Sequence, residues 1–271
     1  MLIVDAIGGL GNRMRAISSG VKMAHDSKQK LHVVWNSNSE LHADYDELFQ
    51  RNELFEVIKC NSIEYQLKYS MPRKRNLYLS AIYQYFAFKC MVDGKNIPYK
   101  GTPEQFLNDI LNAKHTLISS GLEFYHYDDI NLSKLFNPTP EIWALVNELS
   151  QDIKKSTVGL HIRRTDNYNA IKFSPIEKFI DIINSCLITD STTNFYVASD
   201  DLEVKQFLRN KFGAAIISHD IPLDRNNTMA IKYSVAEMFA LGKTSKIYGS
   251  FNSSYSGIAA EIHGIPQFVV K

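Results

Sequence analysis

The first 35 residues change hydrophobic period twice. Residues 2–7 are mainly apolar, as a buried strand is; Gly8, Gly9 and Gly11 break the run. Met14, Ile17, Val21 and Ala24 then recur at helical spacing, and residues 31–35 supply a second strand. A strand–helix–strand unit of this kind implies a parallel sheet with helices on its faces, an architecture whose ligands gather at the carboxyl ends of strands. The glycine loop lies at such an end.

Between residues 36 and 137 the pattern weakens. "DYDELFQRNELFEVI" fits one or two short helices, the aromatic stretch from Leu77 to Val92 reads as helical, and Pro98 and Pro103 mark loops. "NPTPEIWALVNELSQDI" reads as a connector and then a helix. Thr139 is its N-cap, Pro140 its first turn, and Ile142, Leu145, Val146 and Leu149 form its apolar stripe. A boundary near residue 138 divides the chain into lobes 1–138 and 139–271.

Beyond it the strand and helix periods alternate. "TVGLHI" is a strand and "SPIEKFIDIINSCL" a helix begun by Ser174, Pro175 and Glu177. "NFYVAS" is a strand, Asp200–Asp201 an acidic turn and "LEVKQFLRNKFG" a helix. "AAIISH", "MAIKYSVAEMFALG" and "KIYGS" continue the alternation, and a last helix follows "FNSSYS".

Composition narrows the partners. The 271 residues carry a formal net charge of +1, which provides no broad field for nucleic acid or an anionic membrane, so any anion site is local and its ligand small. With 45% hydrophobic residues and no low-complexity tract the chain folds as a globular protein. Cys60, Cys90 and Cys186 are widely spaced and fit a reducing compartment. The N-terminus shows no basic leader, and the apolar stretch around Gln84 and Lys89 is short for a bilayer span, so a soluble cytoplasmic protein is expected. The histidines lack HExxH or HxxxH pairing and no metal site is expected.

Four loops carry chemistry. "GGLGNRMR" aims backbone N–H groups and the positive end of a helix at an anion. It is not a Walker A loop, and Met14 stands where a dinucleotide fingerprint needs its third glycine, so NAD is the weaker reading. A tight turn with no ligand is the competing reading. In "HIRRTD" the period of two puts His161 and Arg163 on one side of a strand end, opposite Leu160 and Ile162. Arginine holds phosphate bidentately and stays charged, which suits a departing diphosphate. Arg164 and Asp166 pair with each other or brace the loop. In "VASDD", Asp200 can accept from a guanine edge or ribose, the pair with Asp201 can bind a metal, or Ser199 or Asp200 caps the next helix. "GSFNSSYSGIAAEI" presents hydroxyls before a helix whose first N–H groups are free, again either an anion site or a cap. Aromatic residues between 45 and 127 belong to a core, or where exposed can stack on sugar rings.

Together, "GGLGN", "HIRRTD" before "FSPIEKFI", "FYVASDD" and "AEMFALGKTSKIYGSFNSSYSGIAAEI" resemble the fucosyltransferase superfamily of α1,2-, α1,6- and protein O-fucosyltransferases and the nodulation fucosyltransferase. The resemblance implies an α/β, GT-B-like fold: two Rossmann-like lobes with parallel sheets, and a ligand cleft between them. It implies inverting, metal-independent transfer of fucose from GDP-fucose to a carbohydrate hydroxyl, with a nucleotide sugar and a glycan as partners and no cofactor. By that resemblance Arg163 contacts the diphosphate, His161 and Asp200 lie at the guanosine, and Ser253 and Ser254 hold phosphate oxygens. Asn12, with Gly11 and Arg13 in the glycine loop, reaches the same diphosphate. The α1,6 branch carries a lysine and then a glutamate after this motif; here Asn167 follows, and "YNAIK" contains no acid. Asp166 becomes the candidate general base. A protein of this fold that binds GDP-sugar or glycan without transfer is the alternative.

Overall fold

The computed structural model describes residues 1–94, 104–221 and 224–271, with backbone alone for 104–107. The loops expected at Pro98 and Pro103 lie outside the described residues. The chain forms two compact units, Met1–Asn137 and Pro138–Lys271.

The first unit is built on a parallel sheet of five strands in the order β3-β2-β1-β5-β4. β1 (Leu2–Ala6), β2 (Leu31–Val34), β3 (Glu56–Ile58), β4 (Cys90–Asp93) and β5 (Thr116–Ser120) alternate with α1 (Leu10–Ser27), α2 (Tyr45–Leu48), α3 (Ser62–Lys68), α4 (Ser80–Ala87) and α5 (Glu104–Asn112), and α6 (Leu132–Leu135) follows. β1 is buried at every position, as a central parallel strand covered on both faces must be. Ile3 and Leu117 meet Tyr65, Tyr69 and Phe88 on one face. Val4 faces α1 so closely that a Cβ on Gly20 would lie 2.8 Å from its methyl. Two readings of the middle segment change: "FEVI" supplies β3 rather than a helix, and residues 77–92 divide into α4 and β4. "TLISS", which carried no assignment from the sequence, is the buried strand β5. These strands are short or polar, so their period is faint, and pairing of β3 with β2, of β5 with β1 and of β4 with β5 fixes their state.

The second unit repeats the plan in the order β10-β9-β6-β7-β8, all parallel. Its strands are β6 (Val158–Ile162), β7 (Phe195–Ser199), β8 (Ile216–Ile217), β9 (Ile247–Ser250) and β10 (Gln267–Val270). Its helices are α7 (Pro140–Leu149), α8 (Tyr168–Phe173), α9 (Ile176–Thr189), α10 (Leu202–Phe212), α11 (Thr228–Gly242) and α12 (Ser254–His263). Val158, Leu160 and Ile162 pack on Phe179 and Ile183 of α9 and Leu208 of α10. On the opposite face α11, apolar almost all round, lies against β6, where a Cβ on Gly159 would fall 2.6 Å from Thr244 Oγ1. Ser174 makes no cap for α9; its hydroxyl donates to Val270 O and accepts from Phe251 N, joining the start of that helix to the ends of β10 and β9.

Candidate functional site

In each sheet the strand order reverses beside the first strand of the unit, between β6 and β9 in the second and between β1 and β5 in the first. Ligands of open parallel sheets bind outside the carboxyl ends of strands at such reversals.

At the second unit's reversal, hydroxyls take over where the ladder stops. Arg163 N donates to Ser250 Oγ at 3.0 Å, and Ser199 Oγ donates to Ile162 O at 2.7 Å, tying β6 to both neighbours. Asp200 then gathers the loop. Its Oδ1 accepts from Arg164 N at 2.7 Å; its Oδ2 accepts from Thr165 N at 3.2 Å and Thr165 Oγ1 at 2.6 Å, and pairs with Arg163 Nε at 3.1 Å. Burial pushes this carboxyl up, but the Arg163 guanidinium, the Thr165 hydroxyl and the two backbone N–H groups outweigh it and hold it below its ordinary value. The cap of α10 is Asp201, whose Oδ1 accepts from Glu203 N and Val204 N. Neither Ser199 nor Asp200 serves there, so the two adjacent acids divide between a helix and a loop.

Arg163, four-fifths buried, also pairs with Asp166 Oδ1, and the other oxygen of Asp166 is 2.7 Å from Arg225 Nη2. Both oxygens of that carboxylate are therefore engaged by guanidinium groups, which it orients. Arg164 turns away and braces the loop through Ser174 O at 2.7 Å. Sequence reasoning missed Arg225, because it sits in the polar loop before α11 with no local motif and reaches the site only through tertiary folding.

His161 lies on the face opposite Leu160 and Ile162, stacked on Tyr255 with ring centroids 4.8 Å apart. Burial, reinforced by the Arg163 and Lys205 cations against the pull of Asp200, drives its pKa down to about 3, so the imidazole is neutral at physiological pH. Its Nδ1 has no hydrogen-bond partner among the described residues. After β9, Asn252 takes a left-handed conformation and its carbonyl accepts from Asn167 Nδ2 at 3.0 Å, linking the loops after β6 and β9. Ser253 is the N-cap of α12 but makes no side-chain capping bond, and Ser254 opens the helix. Cationic Arg163 and Arg225, the positive end of α12 and the Ser253 hydroxyl thus share one loop cluster, suited to an anion.

The first unit's reversal holds the glycine loop. Gly8 adopts φ +87°, a conformation that favours glycine. Its N–H donates to Glu40 Oε2 at 3.0 Å, so the group expected to face an anion is held by the chain's own carboxylate. Gly11 and Arg13 are both buried in α1. The Arg13 guanidinium, fully buried, donates to Gly8 O at 2.8 Å, Asn36 O at 2.8 Å and Asn38 Oδ1 at 3.2 Å and lies over the Trp35 ring. Burial lowers its pKa to about 10, which leaves it charged. Arg13 thus braces the glycine loop against the segment after β2. Asn12, Glu40, Gly8, Gly94, Ser120 and Gly121 line a small open pocket of about 180 Å³. Glu40 carried no signal in the sequence. Among the described residues no three His, Cys, Asp or Glu side chains gather as a metal centre requires.

No protein-family model matches the sequence, and no curated protein matches it. Solved structures do. An Arabidopsis thaliana FUT1 mutant in complex with GDP superposes with a TM-score of 0.68 at 15% identity, covering 99% of this chain and 70% of that one. The fucosyltransferase NodZ from Bradyrhizobium gives 0.62 at 13% identity over 95% and 92% of the two chains. POFUT1 in complex with GDP gives 0.56 at 12% identity over 99% and 97%. The chain has the fucosyltransferase fold. Identity this low extends to the GT-B-type architecture with its two parallel five-stranded sheets, and the chemistry has to be argued from the residues.

Proposed function

We propose that the chain is an inverting glycosyltransferase that moves fucose from GDP-fucose to a carbohydrate hydroxyl, with the donor's diphosphate held by the second unit. The observation that carries this reading is Arg163 at the end of β6, fixed by Asp200 and Asp166 beside the amino end of α12. As the bond from fucose to GDP breaks, negative charge accumulates on the departing diphosphate. A guanidinium already oriented by two carboxylates stabilises that charge without reorganising, and the α12 dipole and the hydroxyls of Ser253 and Ser254 act in the same direction. The His161 ring, at the guanosine by resemblance, is neutral and adds no charge there. A nucleotide-sugar donor also agrees with neighbours of this fold described with GDP or soaked with GDP-fucose.

Incubation of the purified protein with GDP-fucose and a panel of glycan acceptors, followed by mass spectrometry of acceptor and GDP, tests this. Transfer should occur, and Arg163→Ala should lower it by about 10²–10³-fold, as removal of a preorganised transition-state donor does. An Arg163→Ala enzyme as active as its parent would refute it. A second reading, GDP-sugar binding without transfer, draws on one observation: both oxygens of Asp166, the acid of the motif itself, are engaged by Arg163 and Arg225. Under that reading GDP binds and no acceptor is fucosylated.

A further inference from the structure

The helix α4 is built inside out. Its buried positions are Ser80 and Gln84, one turn apart, and Gln84 Nε2 donates to Lys68 O at 3.1 Å and Ser70 O at 3.0 Å. Its large apolar side chains face the other way. Phe86 is 81% exposed, Tyr85 77%, Leu77 76% and Ile82 71%, with Tyr78 and Leu79 exposed beside them. A surface helix ordinarily turns its apolar stripe to the core, and one that presents it to water needs a covering partner. The approach to α4 strengthens the point. Leu77 and Tyr78 hold φ of +51° and +56°, the left-handed region that bulky residues avoid, and this conformation leaves both side chains exposed.

The charge around this face identifies its partner. Residues 65–92 contain Lys68, Arg73, Lys74, Arg75 and Lys89 and not one Asp or Glu. Lys68 pairs with Glu64 and Arg73 with Asp93, while Lys74, Arg75 and Lys89 are exposed with no carboxylate paired to them among the described residues. The chain's net charge of +1 therefore conceals a local cationic surface at both ends of the apolar helix. A second copy of the chain is a poor partner: whichever direction two such helices run against each other, cationic flanks meet. An anionic lipid surface fits both features. Phe86, Ile82 and Leu77 enter the acyl boundary, Tyr78 and Tyr85 sit at headgroup level, and Lys74, Arg75 and Lys89 meet the phosphates.

We propose that α4 and the preceding residues 73–79 dock the protein on an anionic bilayer surface, as a peripheral anchor that does not span it. This is independent of the proposed transferase activity.

Flotation of the full chain with vesicles of phosphatidylcholine alone, and of phosphatidylcholine mixed with phosphatidylglycerol, tests it. The protein should float with the mixed vesicles and detach as salt is raised. Ile82→Ser with Phe86→Ser should lower partitioning by about tenfold or more per side chain. Lys74→Glu with Arg75→Glu should lower it by about fivefold or more per residue. All four side chains are exposed, so circular dichroism should show an unchanged fold. Should the serine variant misfold, Tyr85→Trp provides a second readout, with a blue-shifted tryptophan emission on adding mixed vesicles. Failure to float, equal flotation of the serine variant, or a solution dimer that the serine variant breaks while vesicles remain unbound would each overturn the proposal.

Discussion

Replacing Asp200 by Asn separates two roles that a strand-end carboxylate can have. In place, Oδ1 accepts from Arg164 N and Oδ2 from Thr165 N and Thr165 Oγ1, with Arg163 Nε 3.1 Å away. An amide keeps one accepting oxygen, and whichever way it turns its NH₂ group meets at least one of those donors. Losing a charge-assisted bond and stranding its donor costs about 2–4 kcal/mol. The folded carboxyl titrates below its ordinary value of 3.8, so its contribution is present above that pH and is lost as pH falls through the folded value. Thermal melts should therefore show the variant clearly weaker at neutral pH and converging with the parent in acid. Release of Arg163 should weaken GDP by about tenfold, roughly 1.4 kcal/mol. The preference for GDP over ADP should survive, because these bonds engage both oxygens within the loop. An Asp200→Asn protein as stable as its parent, with GDP and ADP bound equally, would refute this reasoning and return Asp200 to the guanine edge.

Three further outcomes follow from packing and charge. The Lys205 ammonium is fully buried, 2.6 Å from Glu237 and 3.1 Å from His219 O, so Lys205→Met should lose about 3–5 kcal/mol by chemical denaturation; adding Glu237→Leu should restore most of it, and strict additivity would contradict the pairing. Burial raises Asp5 to about 6 despite bonds from Ser119 and Tyr65. Stability of the parent should thus decline as pH rises from its ordinary value toward 6, and Asp5→Asn should remove that slope and gain on the order of 3 kcal/mol above it; an unchanged slope would contradict the assignment. Gly159→Ala drives a methyl to 2.6 Å from Thr244 Oγ1 and 2.8 Å from Leu241 Cδ1, so thermal melting should report a loss of about 1–3 kcal/mol, and a neutral variant would mean that α11 can withdraw from β6.

The sequence was most legible where local and tertiary preferences agree. β1, α1 and β2 announce themselves by period, and so does the alternation from β6 to α12, because strands buried on both faces read as continuous apolar runs. The strand-end positions of Arg163 and Asp200 and the placement of Ser253 and Ser254 before a helix could be read there too. The first unit's middle could not. β3 and β4 are partly exposed and lack a strong period, and the polar inner face of α4 misleads any search for an apolar stripe turned to the core. What the side chains do was hidden for another reason: it depends on partners far along the chain. Asp200 binds Arg164 and Thr165, Glu40 holds Gly8, Arg13 spans to Asn36, and Arg225 reaches Asp166. No local pattern encodes these contacts. The sequence offered Asp166 as a base and Arg13 as a ligand, and the folded chain surrounds both with its own charges and carbonyls.

Calorimetric titration of the purified protein, with no added metal, against GDP, UDP, ADP and NADH tests the central claim most directly, with Arg163→Ala as the control. The account predicts selective binding of GDP that is lost, or weakened by at least about two orders of magnitude, in the variant. Silence toward GDP, or equal binding by Arg163→Ala, would contradict it and leave the cluster at the end of β6 as an internal brace of the fold.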